Sequence, residues 1–388
     1  MTMKRCAIAM ALAATMTVMA VPARAGELPP VKVGFASDMS GPTAFTGEGV
    51  RWGATLAAEE VNARGGILGR KVEAFFADNK AAPGEAVSAV RKLADVDQVN
   101  VIVGQTHSGA CLGAMPIIKE IGIAQVTETC TNPKIREMSG KGGNEWQFRV
   151  NIDDFTMANT YASRINQMVK SASVFASNND FGRGAAAAYD AAFKKVGVRL
   201  VSTEFFDPGQ PDYRPILTRV KRANPEALLI VMLANDASVF MRQFRELGLT
   251  QRVFARGNIA SAEFLHQIRD NPSIGEGIVE ATFWVTGLEP EWDRKWLERW
   301  KVPARLHGSM AALAFKHAVV PAVELAIKKT GRADRKTIRD ALEEIDVANT
   351  PLGRIRFDDH HQAWINMLMV EIKGGQLRIA ERIPTSPQ

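Results

Sequence analysis

Apolar and polar positions alternate along this chain in one repeated rhythm: a short apolar run, then a longer stretch with apolar residues at helical spacing. Val31–Ala36 reads as a strand, and Glu48–Ala63 as a helix that stops at Arg64-Gly65-Gly66. Lys71–Ala77 is a second strand, and Pro83 opens a helix through Ala94. Val99–Val103 is an apolar strand, Ser108 begins a helix to about Ile121, and Ile123–Val126 is a buried strand. After Arg149 the rhythm restarts: Asp153–Val169 helix, Ser173–Ala176 strand, Gly182–Val196 helix and Arg199–Phe205 strand. Tyr213–Ala223 helix, Ala227–Met232 strand, Ser238–Leu247 helix and Arg252–Ala255 strand follow. Strand and helix in strict alternation predict parallel sheets covered on both faces, in two α/β lobes. In such sheets ligands bind beyond the carboxyl ends of strands. That singles out the loops 37–47, 105–108, 127–131, 177–182, 233–236 and 256–260.

The first residues depart from this rhythm. Lys4 and Arg5 precede an uncharged run of 16 residues, Cys6–Val21, and then Pro22-Ala23-Arg24-Ala25. A basic start, a short apolar centre and an Ala-x-Ala site predict a secretory leader cleaved after Ala25 and export to the periplasm. The run is short for a membrane span, and with no comparable run following, a soluble, membrane-free chain is expected. The leader carries three basic residues and no acid, so its loss lowers the formal charge from +6 to +3. That charge is too mild to point to nucleic acid.

Removal of Cys6 leaves Cys111 and Cys130 in an oxidising compartment, where a disulfide is the expected state. No nucleophile elbow, zinc-binding helix or Cys/His pairing appears, so no catalytic residue, metal or cofactor is assigned. Gly65–Gly69 lacks the Lys-Ser/Thr of a phosphate loop. Asp358-Asp359-His360-His361 reads as a solvated turn rather than a metal site, and Trp292, Trp296 and Trp300 as a packing stripe. Trp284 lies near an expected crossing between lobes.

A more specific signal comes from Ser40-Gly41-Pro42, Gly47, the Glu60–Arg70 turn Glu-Val-Asn-Ala-Arg-Gly-Gly-Ile-Leu-Gly-Arg, and Asp78. It continues through Val103-Gly104, Ser108, Pro116, Gly122, Thr131-Asn132-Pro133, Phe148-Arg149, Asp180-Phe181-Gly182 and Arg245-Glu246-Leu247-Gly248. In this order the residues resemble the leucine/isoleucine/valine-type periplasmic binding proteins, the solute receptors of ABC importers. The resemblance implies a clamshell of two α/β lobes with three hinge crossings. One lobe would hold residues 26–150 and 288–350, the other 151–287 and 351–388. It also implies a monomer that closes on a small carboxylate and docks on the transmembrane subunits of an ABC permease. A periplasmic ligand sensor of the same fold is the nearest alternative, and an exported hydrolytic enzyme a more distant one.

Position by position, the resemblance gives Ser108 the substrate carboxylate, at a helix start where free amides and the dipole favour an anion. Thr129 and Thr131 match the rest of the carboxylate loop, Thr129 through its backbone and Thr131 through its hydroxyl. Asp154 matches an acidic position that helps hold an amino group. The family's ammonium-binding glutamate is replaced by Gly257, beside Arg256. Phe181 stands for a tyrosine, Leu233 and Thr46 for aromatics, and Arg305 falls near another. Phe45 and His107 complete the candidate wall. An anion site thus survives while the cation site is damaged, which raises carboxylates without an amine to the level of amino acids, with Arg256 suited to a second carboxylate.

Overall fold

The computed structural model describes residues 28–41 and 43–385, so the expected leader and its cleavage after Ala25 lie outside the described residues. The chain opens with β1 (Val31–Ser37), α1 (Ala44–Ala63), β2 (Val72–Asp78), α2 (Pro83–Arg91) and β3 (Val101–Gly104). There follow α3 (Ser108–Ile121), β4 (Gln125–Thr127), α4 (Pro133–Glu137) and β5 (Gln147–Arg149). These strands form one parallel sheet in the order β2-β1-β3-β4-β5.

The second sheet begins after α5 (Asp154–Met168), with β6 (Ser171–Ser177), α6 (Asp180–Val196), β7 (Arg199–Phe206), α7 (Arg214–Ala223) and β8 (Ala227–Val231). It continues through α8 (Ala234–Glu246), β9 (Arg252–Arg256), α9 (Ala262–Gln267) and β10 (Val279–Thr282). The chain then returns to the first lobe with α10 (Pro290–Trp300), α11 (Leu306–Ala314), α12 (Val320–Thr330), α13 (Arg335–Glu344) and the hairpin β11 (Asp346–Thr350)–β12 (Gly353–Arg356). Finally β13 (Met367–Lys373) and β14 (Gln376–Ile383) complete a seven-stranded sheet, β14-β13-β10-β9-β8-β6-β7, antiparallel only at its last two additions. The result is a two-lobed α/β clamshell whose chain passes three times between the lobes, after β5, after β10 and after β12. The boundary anticipated at residues 350/351 falls inside the β11–β12 hairpin.

Buried polar contacts hold the crossings in register. The Arg149 guanidinium, fully enclosed, donates from Nε to Gln362 Oε1 at 2.5 Å and from Nη1 to the Asn132 carbonyl at 3.1 Å. Its Nη2 lies 3.6 Å from Asp153, itself the N-cap of α5. His361, expected in a solvated turn, is 2% exposed and stacks on Phe148 with ring centroids 4.1 Å apart. The imidazole offers flat faces to the ring and a nitrogen to Glu343 at 3.0 Å, which suits it to a crossing where apolar and polar surfaces meet. Trp284 is buried in the second crossing and does not reach the cleft wall.

The α10 tryptophans pack the first lobe. Trp296 is fully buried, and Trp52 of α1 stacks on Trp300 at 5.2 Å. Leu306–Thr330 is long and apolar enough to cross a membrane, contrary to the expectation that no such run follows the leader. Most of it is buried in this lobe, where α11 lies against α1. Their backbones touch, because Gly53 and Gly308 face each other and a Cβ on Gly53 would collide with the Gly308 carbonyl. Gly53→Ala should therefore cost about 1–3 kcal/mol through overpacking. Urea unfolding should show a lower midpoint at an unchanged m-value; an unchanged midpoint would mean that the helices separate freely.

Candidate functional site

The lobes meet across the cleft. Asn132, which N-caps α4, donates from Nδ2 to the Asp180 carbonyl of α6 at 2.7 Å. Gly109 of α3 is glycine where any Cβ would come within 2.7 Å of Asp180 Oδ2. Between them lies a cavity of about 40 Å³. Thr106, His107, Ser108 and Thr129 form its first-lobe wall, with Leu306 and His307 of α11. Phe181, Leu233, Arg256, Gly257, Asn258 and Phe283 form the opposite wall. An outer chamber of about 340 Å³ shares His107, Ser108, Phe181 and Leu233 and is lined further out by Lys80, Asp180 and Asp236.

Ser108 is the first residue of α3, whose N-cap is His107, and no side chain caps the helix. Its buried hydroxyl accepts from the Asn132 amide at 3.3 Å. The expected capping role of a serine is thus absent, and the first-turn amides of α3 face the cavity end of the helix, where an anion is favoured. Thr129 also stands on the wall, but its hydroxyl donates to the Thr106 carbonyl at 3.0 Å. Thr131 does not present its hydroxyl to the cavity: it donates to Asp154 Oδ2 at 2.9 Å.

Asp154 is likewise committed. Its other oxygen lies 3.1 Å from both Nε and Nη2 of Arg256, and both side chains are buried. Burial pushes the Asp154 carboxyl up to about 6, which Arg256 and the Thr131 hydroxyl offset only in part. The position expected to help hold an amino group is therefore spent on a guanidinium. Arg256, at 4% exposure, lies between the rings of Phe181 and Phe283, 5.5 and 5.8 Å from their centroids. Its Nη2 meets Asp154 as an ion pair without making a hydrogen bond, and the residue lines the cavity.

Gly257 is glycine for a steric reason. Its φ is +123°, and a Cβ there would collide with the Met232 carbonyl. A glutamate cannot replace it on this backbone. The conformation is set by Glu280 on β10, a fully buried carboxylate that accepts four consecutive amides: Gly257 and Asn258 on Oε1, Ile259 and Ala260 on Oε2. Nothing in the sequence pattern marks Glu280, because its significance arises only when β10 pairs with β9.

Two expected wall residues lie elsewhere. Thr46 is buried inside α1, and Phe45 lines a separate hollow with Glu263 and Arg305. Arg305 turns away from the cleft, donating to the Phe45 carbonyl at 2.9 Å and pairing with Glu48 at 2.8 Å. Cys111 and Cys130 are both buried and free, correcting the expected bridge. Each thiol instead donates to an oxygen, Cys111 to Thr127 Oγ1 at 3.2 Å and Cys130 to the Gln105 carbonyl at 2.8 Å. Burial and the neighbouring Cys111 push the Cys130 thiol well up, which keeps it protonated and unreactive. Among the described residues no cluster of His, Cys, Asp and Glu is arranged to hold a metal.

A family model described as periplasmic binding protein matches residues 30–376. The chain belongs to the periplasmic binding protein family. This binding protein is 31% identical over 238 residues to an amino acid binding protein of Pseudomonas aeruginosa, covering 60% of this chain and 62% of that one. The aligned part thus spans about three-fifths of that relative's length. It is 25% identical over 332 residues to a Leu/Ile/Val-binding protein of Rhizobium johnstonii, covering 85% and 88%. The solute-binding protein of an ABC transporter from R. palustris, solved in complex with benzoate, superposes with a TM-score of 0.81 over 92% of this chain and 98% of that one. At 18% identity that likeness speaks to the fold alone. These relatives are binding proteins, not enzymes.

Removing one partner of the buried pair leaves the other charge stranded. Arg256→Ala should cost about 3–5 kcal/mol, and the double variant with Asp154→Ala clearly less than the sum of the single losses. A double-mutant cycle in urea with additive losses would show that the two groups are not coupled.

Proposed function

We propose that this protein is the periplasmic receptor of an ABC importer for a small carboxylic acid that carries no amine and has an aromatic or compact apolar body. One observation carries the reading: the inner cavity is lined by anion-favouring groups and contains no carboxylate. Ser108 at the head of α3 and Arg256 attract negative charge, while Asp154, an acid behind the wall, is taken by Arg256 and Thr131. An ammonium ion enclosed here would lose its water and meet a guanidinium, a cost of several kcal/mol. The ring faces of Phe181 and Phe283, with Leu233 and Leu306, suit a flat apolar body.

Export supports the periplasmic setting through the basic, apolar and Ala-x-Ala pattern that ends at Ala25. Docking of the closed clamshell on the transmembrane subunits of a permease follows from the same reading. The benzoate-bound fold neighbour accords with the ligand class, whereas the name of the Rhizobium relative favours leucine, isoleucine or valine as the competing class.

A thermal-shift screen of refolded protein separates the two. At 100 times its dissociation constant a ligand stabilises by about 2.7 kcal/mol, a clear upward shift. Benzoate and related amine-free acids should produce it and leucine should not. The Ser108→Ala variant should remain folded and bind benzoate at least about tenfold more weakly, by loss of a hydrogen bond to a charged group. A shift with leucine alone would overturn the ligand class.

A further inference from the structure

His107 has a role that neither the family match nor the anion site at Ser108 assigns. Its ring lies on the cavity wall directly before Ser108, at the mouth of α3. Nδ1 stands 3.3 Å from Oδ1 of Asp38, a carboxylate with no solvent exposure. Asp38 is itself anchored: the Thr106 hydroxyl donates to its Oδ1 at 2.7 Å and the Ser37 hydroxyl at 3.1 Å. Both ring nitrogens are buried without a hydrogen-bond partner, so Nδ1 meets Asp38 as a charge contact and the opposite nitrogen, Nε2, is left free. A buried carboxylate thus backs an imidazole whose other edge lacks an acceptor, one residue from the hydroxyl assigned to the ligand's carboxylate.

We propose that His107, backed by Asp38, is the second arm of the carboxylate clamp, donating from Nε2 as an imidazolium to the oxyanion that Ser108 and the α3 amides hold. Capture of the acid is then coupled to a proton on His107. This inference rests on the carboxylate reading of the cleft, and it adds the residue that makes binding depend on pH.

The surroundings favour the charged form. Against the pull of burial, the Asp38 charge raises His107 above the usual histidine range. Although burial opposes it, Asp38 itself is held down to about 2, by His107 and by the hydroxyls around it, so it stays ionised at any physiological pH. His307, stacked 6.3 Å away on α11, is pushed down to about 3 by burial and by His107, and remains neutral. The other charged groups on the two chambers are Arg256 across the inner cavity and Lys80, Asp180 and Asp236 around the outer one. Of these groups His107 is the histidine raised by a neighbouring charge, and Asp154, behind Arg256 and pushed up to about 6, is a second group that titrates at the acid end of the range. The sign follows: an anion stabilises the imidazolium, so affinity is greatest below the His107 titration and falls as pH rises through it. Below pH ~4 it falls again as the acid itself takes up a proton.

The test is the dissociation constant of benzoate, by calorimetry, from about pH 5.5 to about pH 8.5 on the wild type, His107→Gln and Asp38→Asn. The wild type should weaken by up to about tenfold per pH unit above the titration. His107→Gln should bind roughly tenfold or more weakly at the acid end and lose the slope above pH ~7, keeping only the Asp154 titration below it, and Asp38→Asn should move the slope to lower pH. The His107 ring resonances in the unaltered protein should titrate at higher pH with benzoate bound than without. A wild-type profile flat above pH ~7, a slope above pH ~7 that survives in His107→Gln, or a benzoate-independent ring titration would overturn the clamp. If benzoate fails to bind at every pH, the amine-free reading falls, and the same series with leucine, which shares the carboxylate, decides the clamp by the same criteria. Failure of both ligands would sink both proposals.

Discussion

The buried pair of Asp154 and Arg256 is the constraint on which the cleft depends. It lies where the α5 N-terminus, the loop after β4 and the end of β9 converge, and it satisfies two charges that burial would otherwise make prohibitive. By engaging Asp154 it withdraws that acid from the cleft. By fixing the guanidinium between Phe181 and Phe283 it turns a flexible side chain into a rigid part of the wall. The Thr131 hydroxyl is drawn into the same arrangement, so the loop after β4 is tied to the opposite lobe by the protein's own groups.

Glu280 performs the matching task for the backbone. Four amides in succession converge on one carboxylate, so the loop after β9 has a single conformation and Gly257 is held at positive φ. Burial raises the Glu280 carboxyl, and the amides of the loop and the Arg256 charge work against that rise. Closure of the lobes then needs only small contacts, the Asn132 amide on the Asp180 carbonyl and the bare Gly109 beside it. A hinge protein benefits from such economy, because an interlobe contact that is too strong would close the cleft without its solute.

The strand-helix rhythm and the loops at strand ends were legible in the sequence, since a parallel sheet covered on both faces demands that alternation of apolar residues. Ser108, Thr129, Phe181, Leu233 and Arg256 were nameable because they sit on loops beyond strand ends, where the fold class places ligands. Thr46 and Phe45 fall in a span that reads as such a loop, yet α1 already begins at Ala44 and carries them off the wall. Asp38 lay within a loop already singled out, but its partnership with His107 joins residues 69 positions apart.

The sequence by itself determined the α/β layering, the two-lobed plan and a helix that starts at Ser108 beyond a strand end, because these follow from periodicity and from local backbone chemistry. Only the tertiary structure decided which charges remain available to a ligand. Asp154 and Arg256 are 102 residues apart, and Gly257 and Glu280 come from separate strands. Whether a buried acid serves a solute or a neighbouring side chain depends on distances of about 3 Å that no spacing along the chain encodes. The same holds for Cys111 and Cys130, close enough in the fold to share a core cluster and to influence each other, yet unbridged and each in contact with an oxygen.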